Sequence, residues 1–433
     1  MAHEMFHYHS LREVRDTADA LSAFLPLSED VSCLFSPLTV GSRMAANRFA
    51  FQPMEGTDGT LDGAPGERTI RRYQRFAQAG PGVIWFEAVA TLPRVRASAH
   101  QLWLHQGNVD AFRRLTDGMR EISLRENGYA PLIIMQATNS GRYAKPEGTP
   151  APLIAYHCPP LEDQPLPEEC VVSDGDLRRF EDAYGQTARL CQQAGFDGMD
   201  VKGCHRYLAC ELLSAYTRPG SYGGGYENRT RFLKNCYRAA RAGLQGSASF
   251  FLTSRLNAYD GFPWPWGFGV KEGEGAVPDM TEAVRLIRDL RAEFEIPIIN
   301  VTMGNPYKNP HVNRPYDHGN YVPDEHPFIG VGRMMAGVRQ IQQAVDVPVV
   351  GSAFSYLRQF SGQLAAGMVQ EGGCAAAGFG RMAFAYPGFI RDLRETGAMD
   401  PRKCCVSCGG CAQLLRAGRP AGCVVRDREV YVL

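Results

Sequence analysis

The chain has 433 residues, 44% of them hydrophobic and 21% charged, which is ordinary globular composition and excludes a disordered or fibrous polypeptide. Lys+Arg and Asp+Glu number 46 each, so zero net charge removes any electrostatic case for a nucleic-acid or anionic-membrane partner. The segment Met1–His9 is polar and histidine-rich where a secretory signal needs an apolar core, and no apolar run is long enough to span a bilayer. A cytoplasmic protein is therefore expected. Cysteine is the oddity: of thirteen, five (Cys404, Cys405, Cys408, Cys411 and Cys423) fall close to the carboxyl end. An odd, uneven set without an export signal points to a metal site and not to a disulfide framework.

Taken in order, Leu11, Val14, Ala18, Leu21 and Leu25 recur at helical spacing up to Pro26, predicting a short helical extension over residues 1–33. Buried strands are predicted at Arg48–Pro53, Gly82–Ala88, Pro131–Ala137, Gly198–Lys202, Ser249–Leu256, Pro297–Thr302, Pro348–Ser352 and Ala375–Gly380. Amphipathic stretches between them, among them Asp176–Ala194, Arg229–Ala242, Asp279–Phe294 and Gly332–Val345, predict helices. Eight strands joined by crossovers of this length predict a parallel (β/α)8 TIM barrel over residues 34–398, followed by a cysteine-rich segment over 399–433. The barrel span exceeds the ~250 residues typical of the fold, so insertions are required. Tyr143–Ser173, Tyr259–Pro278 and Asn305–Pro327 are the candidates, each after a strand and hence on the face where such barrels bind and react. Neither GxGxxG nor GxxxxGK[ST] occurs, so the Rossmann fingerprint and the P-loop are absent.

The last two strands end in Gly351-Ser352-Ala353 and Gly378-Phe379-Gly380-Arg381, glycines and an arginine in the order that lets backbone and guanidinium hold a phosphate; simple turns are the alternative. Polar residues within or just beyond apolar strands are the next signal, because burying them is unfavourable unless they are paired or used. Gln136, Arg255, Lys202, His205 and Tyr207 are such residues. A glutamine amide and an arginine suit the edge of a flavin ring that becomes anionic on reduction, and they equally suit an internal polar network.

Leu34-Phe35-Ser36-Pro37-Leu38 through Asn47-Arg48, Gln52-Pro53-Met54-Glu55, Gln136 with Ser140-Gly141-Arg142, and Ala194-Gly195-Phe196-Asp197-Gly198 precede His205-Arg206-Tyr207-Leu208, Tyr222-Gly223-Gly224 and Glu227-Asn228-Arg229. Over nearly the whole barrel this string resembles the old yellow enzyme family of FMN flavoproteins. The resemblance implies FMN at the strand ends, contacted by Pro53, Met54, Glu55, Ala88, Gln136, Arg255, Gly351, Ser352, Gly380 and Arg381. It implies Tyr207 as proton donor and His205 as donor to the substrate oxygen. Lys202 departs from the pattern, standing where the family commonly has a first histidine, and puts the substrate class in doubt.

Cys405-x2-Cys408-x2-Cys411-x11-Cys423 falls where the iron–sulfur branch, with 2,4-dienoyl-CoA reductase and trimethylamine dehydrogenase, carries a [4Fe–4S] cluster. Three closely spaced thiolates and a remote fourth suit a cubane, whereas structural zinc usually pairs two Cys-x2-Cys knuckles. Cys404 is an alternative to Cys405. The expected activity is reduction of an activated C=C in an unsaturated carbonyl compound by a homo-oligomer. Nucleotide domains that follow the cluster in those larger relatives do not follow Cys423 here, so electrons are expected from NAD(P)H or from a separate electron-transfer protein. Two other readings stay open: a flavin dehydrogenase oxidising an amine or C–H bond, and a Schiff-base aldolase using Lys202 with structural zinc. From the long loops, His311 could reach over the site, though a lone loop histidine is more often exposed or structural, and Trp264, Trp266 and Phe268 suit a lid or equally surface packing on a neighbouring helix.

Overall fold

A computed structural model describes residues 3–246 and 249–433; Met1 and Ala2, part of the segment read for a targeting signal, lie outside the described residues. Helix α1 (Leu11–Ala20) starts on Ser10, whose hydroxyl accepts from the Glu13 N–H. Val14 and Ala18 are buried as the periodicity predicts, but the helix ends at Ala20 and Ser22 turns left-handed, so Leu25 reaches the core from extended chain.

An antiparallel hairpin, β1 (Leu38–Val40) and β2 (Arg43–Ala45), comes next. The barrel strands are β3 (Phe49–Phe51), β4 (Val83–Ala90), β5 (Leu132–Thr138), β6 (Gly198–Val201), β7 (Phe251–Thr253), β8 (Arg255–Asn257), β9 (Ile299–Thr302), β10 (Val349–Gly351) and β11 (Ala376–Phe379). All pair in parallel, in the order β7-β6-β5-β4-β3-β11-β10-β9-β8. The single expected strand Ser249–Leu256 is found as two short ones separated by Ser254 alone. The reason is that this stave serves two neighbours: β7 bonds β6, β8 bonds β9, and Ser254 turns between them. Its Oγ donates to the Val201 carbonyl at 2.7 Å and its own carbonyl accepts from Asn300 N–H at 3.0 Å. The ring of eight staves closes at that residue. Leu38, Val40 and Ala45 of the hairpin cluster with Val83, Leu132, Ile298 and Ala376 at the strand starts, closing the end of the barrel away from the site.

Helices surround the ring: α2 (Glu67–Ala79), α3 (Val109–Asn127), α4 (Asp174–Gln193), α5 (Leu208–Leu213), α6 (Tyr226–Gly243), α7 (Thr281–Phe294), α8 (Pro310–Asn313), α9 (Pro327–Ala344), α10 (Ser361–Gln370), α11 (Arg381–Ala385) and α12 (Phe389–Thr396). The last, α13 (Gly410–Arg416), belongs to the cysteine-rich segment. Helix α9 starts five residues before the expected Gly332, because Pro327 opens its first turn and the His326 ring accepts from Phe328 N–H. Gly332 inside it admits the amino-terminal extension: a Cβ there would stand 2.9 Å from the Phe24 nitrogen. Among the described residues, no helix is long and apolar enough to cross a membrane.

The three insertions follow β5, β8 and β9, and they interlock above the strand ends. Asn305 donates to the Tyr143 hydroxyl at 2.8 Å, Tyr143 stacks on Tyr307 with centroids 3.9 Å apart, and Asn309 donates to the Asp260 carbonyl at 2.9 Å. The carboxyl segment is strapped over the same end. Asp427 pairs with Arg71 and Arg75 on α2 at 2.7 and 2.6 Å, Ala421 N–H donates to Gly56, and Asp317 N–H donates to Ser407.

Beneath these loops lies Arg206, fully buried, paired with the equally buried Asp260 at 2.8 Å and also donating to Ser214 and to the Tyr156 hydroxyl. It ties the turn after β6 to the loop after β8. Arg206→Met leaves Asp260 an uncompensated buried charge and is expected to cost about 3–5 kcal/mol in urea-unfolding free energy; a loss under about 1 kcal/mol would show that the pair does not anchor these loops.

Candidate active site

The turn after β6 does most of the assembly. Gly203 extends the pairing, its N–H donating to Arg255 and its carbonyl accepting from Asn257. His205 and Arg206 then both take left-handed φ, 63° and 59°, an arrangement that disfavours side-chain-bearing residues by about 1–3 kcal/mol each and persists only where surroundings enforce it. The Arg206–Asp260 pair is the enforcing contact. The result is that Lys202, His205 and Tyr207 face one cavity of about 1080 Å3, part of it open to solvent, at the carboxyl ends of the strands. Pro53, Met54, Glu55, Ala88, Arg255, Ser352, Gly380 and Arg381 line it as well.

Its electrostatics are lopsided. Burial lowers the pKa of Lys202, with Glu55 opposing the shift, and Lys202 Nζ lies 3.6 Å from the Tyr207 ring centroid. Burial also lowers Arg255 and brings Arg314 down to about 10, helped in the latter case by neighbouring Arg381 and Arg416. His205 is pushed well below its ordinary value by burial, then by Arg255 and Lys202, so the imidazole is neutral. Among the described residues, Lys202, Arg255, Arg314 and Arg381 have no carboxylate at ion-pair distance, and Arg255 Nε, Arg381 Nη1 and His205 Nε2 are buried without a hydrogen-bond partner. Unpartnered donors gathered around one cavity, among cations without a carboxylate, leave room for a ligand's acceptors. A ligand carrying an anionic phosphate and a ring edge rich in acceptors fits this donor set.

Two groups face the other way. Gln136 gives its amide to Asp200 at 2.6 Å and does not reach the cavity wall. Asp200, whose carboxyl burial pushes up to about 6, also accepts from Trp85 Nε1 and Arg255 N–H, both at 2.7 Å. Gly351 likewise lies behind the wall, its carbonyl accepting from Gln52, while Ser352 spends its hydroxyl proton on Val301. His311 bonds the Tyr321 hydroxyl at 2.5 Å beside Glu325, away from the cavity; Trp264, Trp266 and Phe268 do not line it either.

Glu55 is held with unusual firmness. Its Oε1 accepts from Gln101 at 2.5 Å and its Oε2 from the Tyr207 hydroxyl at 3.2 Å. The following Gly56 donates its N–H to Glu87, and the Arg72 guanidinium spans Glu87 at 2.5 Å and Asp58 at 2.6 Å. A Cβ on Gly56 would lie 2.2 Å from that guanidinium, so glycine is required. Tyr207 also meets the Tyr307 hydroxyl at 3.0 Å. Sequence reasoning passed over Tyr307, Tyr143, Gln101 and Arg314. Tyr307 lies in the same loop as His311, where the histidine drew attention; for Gln101 and Arg314 no motif marks the position.

Cys411 of α13 lines the cavity with Ala412, Leu415 and Arg416. Its thiol is raised by burial and by Cys405 and Cys408; that of Cys423 is pushed up to about 11 by burial, with Cys405 and Cys411 adding to it. The four cysteines are thus electrostatic neighbours. Cys405 and Cys423 sulfurs accept backbone N–H groups from Ser407 and Arg426 at 3.4 and 3.3 Å. Cys404 instead donates to the Asp400 carbonyl at 3.3 Å. Among the described residues, no three His, Cys, Asp or Glu side chains converge tightly enough to hold a single metal ion.

Comparison with known proteins places this architecture. Bilirubin reductase from Mediterraneibacter gnavus is 25% identical over 410 residues, covering 92% of this chain and 57% of that protein. An NADPH dehydrogenase from Clostridium acetobutylicum is 26% identical over 275 residues, covering 63% of this chain and 74% of its own. The structure of a 2-naphthoyl-CoA reductase complex superposes with a TM-score of 0.73 at 18% identity, over 92% of this chain and 57% of that one, and so shares the fold. The chain therefore spans little more than half the length of these two longer proteins. Residues 33–337 match the family of NADH:flavin oxidoreductases and NADH oxidases, and on that match, over well more than half of its length, the chain belongs to this family of old yellow enzyme.

Proposed function

We propose that this protein is an FMN-dependent, NAD(P)H-driven reductase of the activated C=C bond of an unsaturated carbonyl compound, with a [4Fe–4S] cluster held by Cys405, Cys408, Cys411 and Cys423. The observation that carries the reading is the meeting, in one cavity, of Tyr207, His205 and Lys202 with the uncompensated Arg255 and Arg381. FMN, when bound, supplies the hydride. Arg381, at the first turn of α11 after Gly380, would hold its phosphate, and Arg255 would stabilise negative charge gained by its ring on reduction.

The chain's own groups complete the reaction. His205, neutral and with Nε2 unpartnered, accepts no charge and is poised to hydrogen-bond a substrate carbonyl, stabilising the negative charge that develops on oxygen. Lys202 adds a cation beside it. Tyr207, its phenol pushed well above the usual range by burial and then by Glu55, keeps its proton until a carbon acceptor draws it. The reductase names of bilirubin reductase and 2-naphthoyl-CoA reductase agree with this direction, and the NADPH dehydrogenase with a pyridine nucleotide as electron source.

A cluster, when bound, supplies one-electron transfer. The cysteine set supports it on two counts. The Cys405 and Cys423 sulfurs accept N–H groups as cluster thiolates do, and Cys404 is turned to a carbonyl, which leaves Cys405 as the ligand. The cluster's wall position at Cys411 would let a separate electron-transfer protein exchange electrons with the cavity.

Protein purified anaerobically is expected to show a flavin spectrum over broad iron–sulfur absorption, with about four irons and four sulfides per chain; a colourless preparation overturns the proposal. Arg381→Ala is expected to lose FMN on gel filtration while keeping its iron, and full flavin retention would remove Arg381 from the phosphate site. Tyr207→Phe, at unchanged flavin content, is expected to slow reoxidation of the dithionite-reduced enzyme by 2-cyclohexenone by roughly 10²- to 10⁴-fold. An unchanged stopped-flow rate would exclude it as the proton donor.

A further inference from the structure

The cavity holds one carboxyl group among its cations, Glu55, which takes no part in the hydride transfer or in carbonyl polarisation. Its position is not incidental. The Gly56 N–H bond to Glu87 and the Arg72 clamp on Glu87 and Asp58 fix the backbone on one side of it, and the Ala421 N–H bond to the Gly56 carbonyl fixes the other. One carboxyl oxygen is held by Gln101, so the other has a single protein partner, the Tyr207 hydroxyl at 3.2 Å. Tyr207 has the Tyr307 hydroxyl at 3.0 Å as its second partner, and that ring is stacked in place by Tyr143. These contacts form a short chain of exchangeable protons leading to the cavity.

We infer that Glu55 is the proton reservoir behind Tyr207: the carboxyl donates to the tyrosine oxygen and replaces the proton that Tyr207 delivers to the substrate. The inference rests on the reductase reading. The proton balance is simple. As the C=C bond takes a hydride on one carbon, the Tyr207 O–H bond breaks and a C–H bond forms on the other carbon. The Glu55 O–H proton passes to the phenolate, and the carboxylate left behind regains a proton from water that enters when product leaves.

Geometry decides which protonation state is productive. With Glu55 ionised, the Tyr207 hydroxyl donates to it and its proton points away from substrate, as in the contact described. With Glu55 protonated, the carboxyl is the donor, and the Tyr207 proton is released toward the cavity. The groups facing Glu55 are Tyr207 and Lys202 from the turn after β6, Tyr307 from the loop after β9, and the uncharged Gln101. Burial raises the Glu55 pKa above the ordinary carboxylate range, against Lys202 and the hydrogen bonds from Tyr207 and Gln101, which lower it. Proton delivery is therefore expected to be fast below that pKa and to fall as pH rises through it. Glu55 acts through Tyr207, as a positioning and proton-supplying residue.

Glu55→Gln separates the possibilities, because glutamine can donate to the tyrosine oxygen but cannot pass on a proton. Wild type and variant, each with FMN content verified, are reduced with dithionite and mixed in a stopped-flow instrument with 2-cyclohexenone from pH 5 to 9. The expected result is a wild-type rate that falls with pH, and a variant rate that is flat and roughly ten- to a hundredfold lower at the acid end. A variant that is flat but as fast as wild type overturns the relay, leaving Glu55 only an orienting role. A variant with the wild-type profile overturns any role. Infrared titration supplies a readout independent of turnover: the wild-type-minus-variant spectrum should show a protonated carboxyl band that disappears over the same pH range, and no such band at any pH also overturns the proposal. Failure of wild type itself to reduce the enone would fall on the reductase reading, since the infrared result would stand without it.

Discussion

Uncompensated positive charge is the constraint on which this structure turns. Elsewhere among the described residues the deeply buried arginines have carboxylates: Arg72 has Asp58 and Glu87, Arg142 has Glu162 and Glu211, Arg206 has Asp260, Arg218 has Asp174, and Arg229 has Glu282. The rule follows from the large desolvation penalty of an isolated charge. It is broken at one place, where Lys202 after β6, Arg255 at the start of β8, Arg314 after α8 and Arg381 at the start of α11 come together. A fold that satisfies its cations so consistently and leaves these open is arranged around an anion, and the flavin family supplies the anion that fits.

The supporting parts follow from keeping that cavity in shape. The barrel brings the strand ends to one rim, but the rim residues are set by loops, and these loops are braced. Paired left-handed residues at His205 and Arg206 aim three side chains inward, and the Arg206–Asp260 pair, itself stranded in low dielectric, makes any other turn geometry unfavourable. The carboxyl segment is a structural wall before it is anything else. It bonds Gly56 beside Glu55, clamps α2 through Asp427, and sets Cys411 against the cavity. The same segment thus links the cysteine cluster to the cavity and to the backbone that carries the one acidic group in it.

Much of this was legible beforehand, for reasons that differ residue by residue. The eight staves were visible because strands buried on both faces read as unbroken apolar runs bounded by glycine and proline. Tyr207, His205 and Arg255 were visible because polar residues at the end of such runs need a purpose. Gln136, marked by the same argument, gives its amide to Asp200 on the neighbouring stave and stands behind the cavity wall. His311 was noticed for its residue type and lies outside the cavity, whereas Tyr307, four positions earlier, stands in it.

The sequence by itself determined the periodicities, and with them the barrel, the three long loops at its carboxyl face and the crowding of cysteines near the end. These are local properties, set by side-chain spacing along one stretch of chain. Which polar groups would meet was decided only by tertiary structure. Glu55 and Tyr207 are far apart in sequence and 3.2 Å apart in space, and Arg314 stands unpaired because no loop happens to bring it a carboxylate. Electrostatic partnership depends on distance and burial together, and neither exists until the ring of strands has closed.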